Sequence, residues 1–251
     1  MDAAGTHAPL SRHYAPYAVA GPMELTGEAA HHLAHVLRAR PGQRVVLFDG
    51  QGREAPAVIR EVQRDRVWLE CEDLVVVDRE SPLAVTMALA LSKGEKPEWI
   101  CQKVVELGAA AIVVFAAEHS VVRWSPAQVE RKLERLAITA QGACAQCGRN
   151  VVPPIEYLDS LAAVLDRAGP DATRLALDPT ASSTLNATLT GHIRRPIWLI
   201  IGPEGGLSTT EQVQICDAGW QIVRFGTRIL RTETAAVAAL AVVQGACGDL
   251  A

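Results

Sequence analysis

The 251-residue sequence contains no apolar run approaching the roughly 20 residues that a membrane-spanning helix requires. Its first ten residues read as a frayed end and lack the basic-then-apolar pattern of a secretory signal, so a cytoplasmic setting without membrane is expected. Two glycine fingerprints are also missing. There is no G-x-G-x-x-G to hold a dinucleotide and no G-K-S/T to close a phosphate loop, which argues against an oxidoreductase or a kinase. Nor is there a surplus of positive charge: the net charge of −4 is wrong for indiscriminate affinity toward nucleic acid. Of six cysteines, Cys144 and Cys147 form one C-x-x-C with no second pair or nearby histidine, so no metal is expected. Cys71, Cys101, Cys216 and Cys247 sit in apolar stretches as small core residues. His31, His32 and His35 look ligand-like at helical spacing, but two of them are read as packing or RNA-facing residues.

What is present begins with composition. Apolar residues make up 49% and charged residues 21%, the balance of a globular protein large enough for one big domain or two smaller ones. The densest signal is Ile201-Gly202-Pro203-Glu204-Gly205-Gly206-Leu207-Ser208, followed later by Leu230-Arg231-Thr232-Glu233-Thr234-Ala235-Ala236. The first segment follows the apolar run Pro196 to Ile201, which reads as a buried strand. Its glycines allow backbone to approach a ligand where a Cβ would collide. Ser208 and Glu211 form a capping box, so a helix starts directly after this loop and ends at Gly219. The second segment lies between a strand, Gln221 to Phe225, and an apolar final helix, Ala235 to Ala246. Two such loops at the carboxyl ends of strands are where open α/β sheets bind ligands.

The pair IGPEGGLS and RILRTETAA resembles the C-terminal end of the RsmE-type ribosomal RNA methyltransferases of the SPOUT superfamily. HHLAHVLRARPGQRVVLFDGQG, SKGEKPEWICQKVVELG and ACAQCGRNVVPPI agree with the same family, and the resemblance spans Ser11 to Leu250 in order. It implies methylation of N3 of one uridine in 16S ribosomal RNA, free or in the small ribosomal subunit, with S-adenosylmethionine as donor. It further implies a homodimer and a C-terminal domain whose chain forms a deep trefoil knot, which nothing in the residue pattern would suggest.

Organisation follows periodicity. The spacing predicts a helix over Leu25 to Leu37, then strands Arg44 to Phe48, Glu54 to Val62 and Val67 to Cys71, with a hairpin turn at Asp49-Gly50-Gln51-Gly52. One helix with close strands suggests a small barrel; the resemblance makes it a PUA-like RNA-binding domain over residues 1–78, with a linker near Arg79-Glu80-Ser81-Pro82. Residues 79–251 then alternate: strands at Val85 to Leu91, Ala111 to Phe115 and Arg174 to Leu177, with helices at Pro97 to Leu107, Ser125 to about Ala145 and Ser160 to Ala168. This predicts an α/β fold with a mostly parallel sheet; spacing alone suggests ordinary Rossmann-like winding.

The negative total hides two basic stretches. Arg38, Arg40 and Arg44 occur without an acid between Ala29 and Phe48, and Arg123, Arg131, Lys132, Arg135 and Arg149 outnumber Glu130 and Glu134 between His119 and Arg149. Solvated helix faces are the plain alternative. Arg12, Arg38, Arg40, Lys93, Lys96 and Arg123 are the expected RNA contacts; Lys93 and Lys96 belong to the family-like SKGEK and could equally be surface charge.

By resemblance, Leu177, Ile201, Gly202, Pro203, Glu204, Gly205, Gly206, Gly226, Ile229, Leu230, Thr234 and Ala235 line the donor site, though Leu177 also reads as plain core. Arg231, Glu233 and Arg149 are the expected catalytic residues. An arginine can hold the uracil oxygens, and Glu233 or Glu204 could take the N3 proton if burial raises its pKa. The competing reading pairs Arg231 with Glu233 to brace the loop. Relatives carry E-Q-C-G-R where this chain reads Ala145-Gln146-Cys147-Gly148-Arg149, and the missing carboxylate is read as a supporting residue. A noncatalytic RNA-binding assembly factor on the same fold is the alternative function.

Overall fold

The computed structural model describes residues 10–189 and 196–250, so most of the expected frayed end lies outside the described residues. The chain gathers into two compact units. One comprises residues up to Glu80 together with Cys144–Val152, and the other Ser81–Ala143 together with the residues from Pro153 on. The sequence suggested a single cut near residue 78; the contacts instead add Cys144–Val152 to the first unit.

In the first unit, β1 (Arg12–Tyr14), β2 (Gly21–Leu25), β3 (Arg44–Phe48), β4 (Arg53–Val62), β5 (Val67–Cys71) and β6 (Val75–Val76) form one sheet. The order is β1-β3-β4-β5-β2, with β6 on β4; β1 and β3 run parallel and the other pairs antiparallel. Alternate residues of β4 and β5, Ala55, Ala57, Ile59, Val67, Leu69 and Cys71, face a core shared with Leu25, Leu33 and Leu47. The predicted hairpin is present. Asp49 Oδ1 accepts from the amides of Gln51 at 2.8 Å and Arg53 at 3.0 Å, while Gly50 and Gly52 take φ of +78° and +106°.

The predicted helix over 25–37 is broken in two. α1 (Gly27–His31) passes into a π-helical turn, His32–Val36, and Arg38 then adopts φ +50°. β1, β2 and β6 were not predicted, because two to five residues punctuated by Gly21 and Pro22 show no usable alternation.

The added segment is held by a partly buried polar network around Asn150. Arg12 Nη1 lies 2.6 Å from Glu54 Oε2, its Nη2 2.5 Å from Asn150 Oδ1, and its guanidinium 5.3 Å from the Phe48 ring centroid. Arg79 grips both Glu54 oxygens at 2.6 and 2.9 Å, and Val152 N donates to Gly50 O at 3.0 Å.

The second unit is the predicted α/β alternation. Its strands are β7 (Val85–Ala90), β8 (Ala111–Phe115), β9 (Ile155–Leu158), β10 (Thr173–Leu177), β11 (Ile197–Ile201) and β12 (Gln221–Val223). They are parallel throughout, ordered β12-β10-β11-β7-β8-β9. Every residue of β7 and β11 is buried, as central parallel strands covered on both faces require. The helices are α2 (Lys96–Glu106), α3 (Pro126–Cys147, whose end reaches the first unit's segment), α4 (Leu161–Arg167), α5 (Leu185–Leu189), α6 (Thr209–Asp217) and α7 (Thr232–Cys247).

The capping box before α6 is complete: Glu211 N donates to Ser208 Oγ and Ser208 N to Glu211 Oε2. β9 and α5 were missed; both are short, and β9 lies at the sheet edge where no face is fully buried. The final helix begins at Thr232 rather than Ala235, so Glu233 and Thr234 belong to its first turn. A carboxylate is favoured there by the helix dipole. α7 is pinned by Gln244, fully buried, which accepts from Ser81 Oγ at 2.8 Å and donates to Gly108 O at 3.2 Å.

Candidate functional site

The two loops singled out in the sequence meet. A cavity of about 420 Å³ opens in the second unit beyond the carboxyl ends of β10, β11 and β12. Leu177, Asp178 and Pro179 come from the end of β10; Ile201, Gly202, Pro203, Glu204, Gly205 and Gly206 from the end of β11; Phe225, Arg228, Ile229, Leu230, Arg231, Thr232 and Ala235 from the segment leading into α7. The volume lies in the range that holds a nucleoside-sized ligand.

Glycine suits this wall sterically and conformationally. A Cβ on Gly202 would stand 3.2 Å from Leu207 Cγ, one on Gly205 would stand 3.0 Å from His119 Cβ, and Gly206 takes φ +72°. Of the twelve residues expected around the donor, ten line the cavity. Gly226 and Thr234 do not, although each adjoins a lining residue. Asp178, Pro179, Phe225, Arg228 and Thr232 line it and were not expected as site residues. Asp178 is buried and accepts from Thr180 N at 2.8 Å and Gln212 Nε2 at 3.0 Å, bracing the end of β10 against the start of α6. Nothing in its local sequence announces that role.

Charge at the rim is organised around Lys96. Its Nζ lies 2.9 Å from Glu204 Oε1 and 3.2 Å from Glu233 Oε2, so it is engaged with two carboxylates rather than free for RNA as expected. Its hydrogen bond to Glu204 outweighs the cost of burial and lifts the Lys96 pKa above the ordinary lysine value. Burial pushes Glu204 up, but the hydrogen bond from Lys96 and backbone amides prevail, and the carboxyl ends below its ordinary value. Glu233 is lowered chiefly by its own backbone amide, against burial, with Lys96 adding to the effect. A general base with a raised pKa is thereby removed at both positions: each stays ionised and weakly basic. Glu233 also finds its ion partner in Lys96, not in Arg231. Arg231 is exposed, lines the cavity, and makes no ion pair among the described residues.

Two further expectations are corrected. Arg149 is not at this cavity; it is buried in the first unit, its Nε 2.7 Å from Glu80 Oε2, which commits the guanidinium to a structural pair. Arg12 is equally committed to Glu54 and Asn150, so its charge is neutralised beneath the surface rather than offered to a phosphate. Arg38, Arg40, Lys93 and Arg123 are exposed. Burial pushes the Cys144 thiol up to about 12, opposite to what a reactive thiolate needs. No helix among the described residues is long and apolar enough to cross a membrane.

Comparison with known proteins bears on the site. A family model described as an RNA methyltransferase domain matches residues 79–244, and one described as an RNA methyltransferase PUA domain matches residues 25–71. The ribosomal RNA small subunit methyltransferase E of Bacillus subtilis is 33% identical over 225 residues, covering 87% of this chain and 88% of the relative. The protein of that name from Mycobacterium tuberculosis is 32% identical over 86% of this chain and 84% of its own length. Among solved structures, the ribosomal RNA small subunit methyltransferase E of Neisseria gonorrhoeae bound to S-adenosyl methionine superposes with a TM-score of 0.88 at 33% identity, covering 97% of this chain and all (100%) of that one. A Legionella pneumophila protein solved with bound cofactor SAM gives a TM-score of 0.91 at 36% identity, over 96% of this chain and 100% of that chain.

Proposed function

Because this chain belongs to the ribosomal RNA small subunit methyltransferase E family, we propose that it is an S-adenosylmethionine-dependent methyltransferase acting on N3 of a uridine in 16S ribosomal RNA. The observation that carries this reading is the cavity between the glycine loop and the segment before α7. The wall suits the donor: Leu177, Ile201 and Leu230 offer apolar surface to an adenine, and glycines at 202 and 205 let the loop pack tightly on Leu207 and His119 while the positive φ of Gly206 turns it along the cavity. Bound there, the donor would supply a sulfonium methyl: the S–CH3 bond would break as the N3–CH3 bond forms, S-adenosylhomocysteine would leave, and the N3 proton would pass to solvent at the cavity mouth.

The chain's residues divide that work. Arg231, which lines the cavity and makes no ion pair among the described residues, stabilises the negative charge that develops on the uracil as its N3 proton departs. Glu233 and Glu204, kept ionised by Lys96, shape the rim rather than take the proton. Gly226 and Thr234 position the two ends of the segment that carries Arg228 to Arg231. The apolar wall excludes water, which favours a reaction that consumes charge.

The first unit, as a PUA-like barrel, presents Arg38 and Arg40 to RNA; in the second unit Lys93 and Arg123 are exposed and serve as RNA contacts of its own. A trefoil knot in the second unit and a homodimer built on it belong to the same reading. The enzyme works in the cytoplasm, where its RNA is. Calorimetry with S-adenosylmethionine, together with mass spectrometry of ribosomal RNA from a deletion strain, tests the proposal. It requires donor binding and the loss of one 3-methyluridine; a chain that binds RNA but no donor would instead be an assembly factor.

A further inference from the structure

We infer that His119 is a positioning residue for donor binding, acting through the glycine loop without touching the donor; this rests on the methyltransferase reading. His119 Nδ1 lies 3.2 Å from Gly205 O and 3.2 Å from Gly206 O. Two carbonyl acceptors require that Nδ1 carry the proton, so one ring N–H bridges both oxygens. Gly205 and Gly206 line the cavity and His119 does not, so those oxygens are drawn to the loop's outer side. Gly206 N donates to Pro203 O at 2.9 Å, so the turn is closed from within while the histidine fixes it from outside, and together they set the course of a loop whose residues 201–206 line the cavity.

The ring can hold the loop because its own turn is fixed. Ala117 N donates to Ser120 Oγ at 3.2 Å and Ser120 N donates to Ala117 O at 3.1 Å. Glu118 N donates to Glu211 Oε1 at 2.8 Å, and Ser208 Oγ donates to Glu118 Oε2 at 2.5 Å. The turn after β8 is thereby joined to the cap of α6, which begins where the glycine loop ends. The fit is steric as well as polar: a Cβ on Gly205 would meet His119 Cβ at 3.0 Å. Loop and histidine are built against one another.

The test compares three variants of the full chain for S-adenosylmethionine affinity by calorimetry and for rRNA methylation kinetics. H119A weakens donor binding about tenfold, as loss of a bifurcated hydrogen bond predicts, with unchanged kcat at saturating donor and unchanged KM for RNA. H119N places an amide nitrogen where Nδ1 stood and restores affinity; H119Q places it where Nε2 stood and does not. An unaltered unfolding midpoint separates positioning from general destabilisation. The inference is overturned if H119A binds donor like the parent, if only the RNA KM changes, or if Gln rescues as well as Asn. A parent chain that binds no donor at all would instead remove the methyltransferase reading.

Discussion

Lys96 Nζ stands 2.9 Å from Glu204 Oε1, and that ammonium is also 3.2 Å from Glu233 Oε2, so the first residue of α2 joins the glycine loop to the first turn of α7. Without it, two carboxylates face each other across the cavity rim. Lys96→Met is expected to raise the KM for S-adenosylmethionine about fivefold, the equivalent of about 1 kcal/mol for a half-exposed ion pair. RNA affinity measured by filter binding should not change. A large loss of RNA affinity with donor KM intact would return Lys96 to the RNA surface.

Among the described residues Arg231 makes no ion pair, although its charge helps hold the Glu233 carboxyl below its ordinary value. Arg231→Ala is expected to lower kcat by about 10²- to 10³-fold, the usual loss when a group that stabilises developing negative charge is removed. Donor binding by calorimetry should be largely kept. Near-normal single-turnover methylation would take Arg231 off the reaction.

The Glu54 carboxyl is pushed down from 4.5 to about 2, first by its hydrogen bond to Arg79, against burial, with Arg12 and Asn150 adding to it. A depressed folded-state pKa contributes stability above the unfolded value, and that contribution fades as pH falls from about 4.5 toward 2. Glu54→Gln should therefore cost about 3 kcal/mol at neutral pH and progressively less below pH 4.5. Chemical denaturation across that range is the measurement; a pH-independent difference would contradict it.

Arg12 and Arg38 should part company. Arg12→Ala breaks the partly buried network with Glu54 and Asn150 and is expected to lower the unfolding midpoint. Arg38→Ala, at an exposed position, should leave stability alone, weaken RNA binding, and reduce the slope of log affinity against log salt by about 1. Equal effects of the two substitutions on the salt slope would refute this division.

The sequence by itself determined the parallel α/β alternation, the two ligand loops and the capping box at Ser208. These are written in local signals: apolar runs such as Ile197–Ile201, glycines at tight or positive-φ positions, and side chains that bond their own neighbouring backbone. Only the tertiary structure decided what each charge does. Lys96 and Glu204 are separated by 108 residues and Arg12 and Asn150 by 138, so their pairing leaves no trace in spacing or periodicity. The transfer of Cys144–Val152 to the first unit is equally nonlocal. A charged side chain reads the same in sequence whether it meets solvent, RNA or a carboxylate, because burial and partner belong to the folded chain.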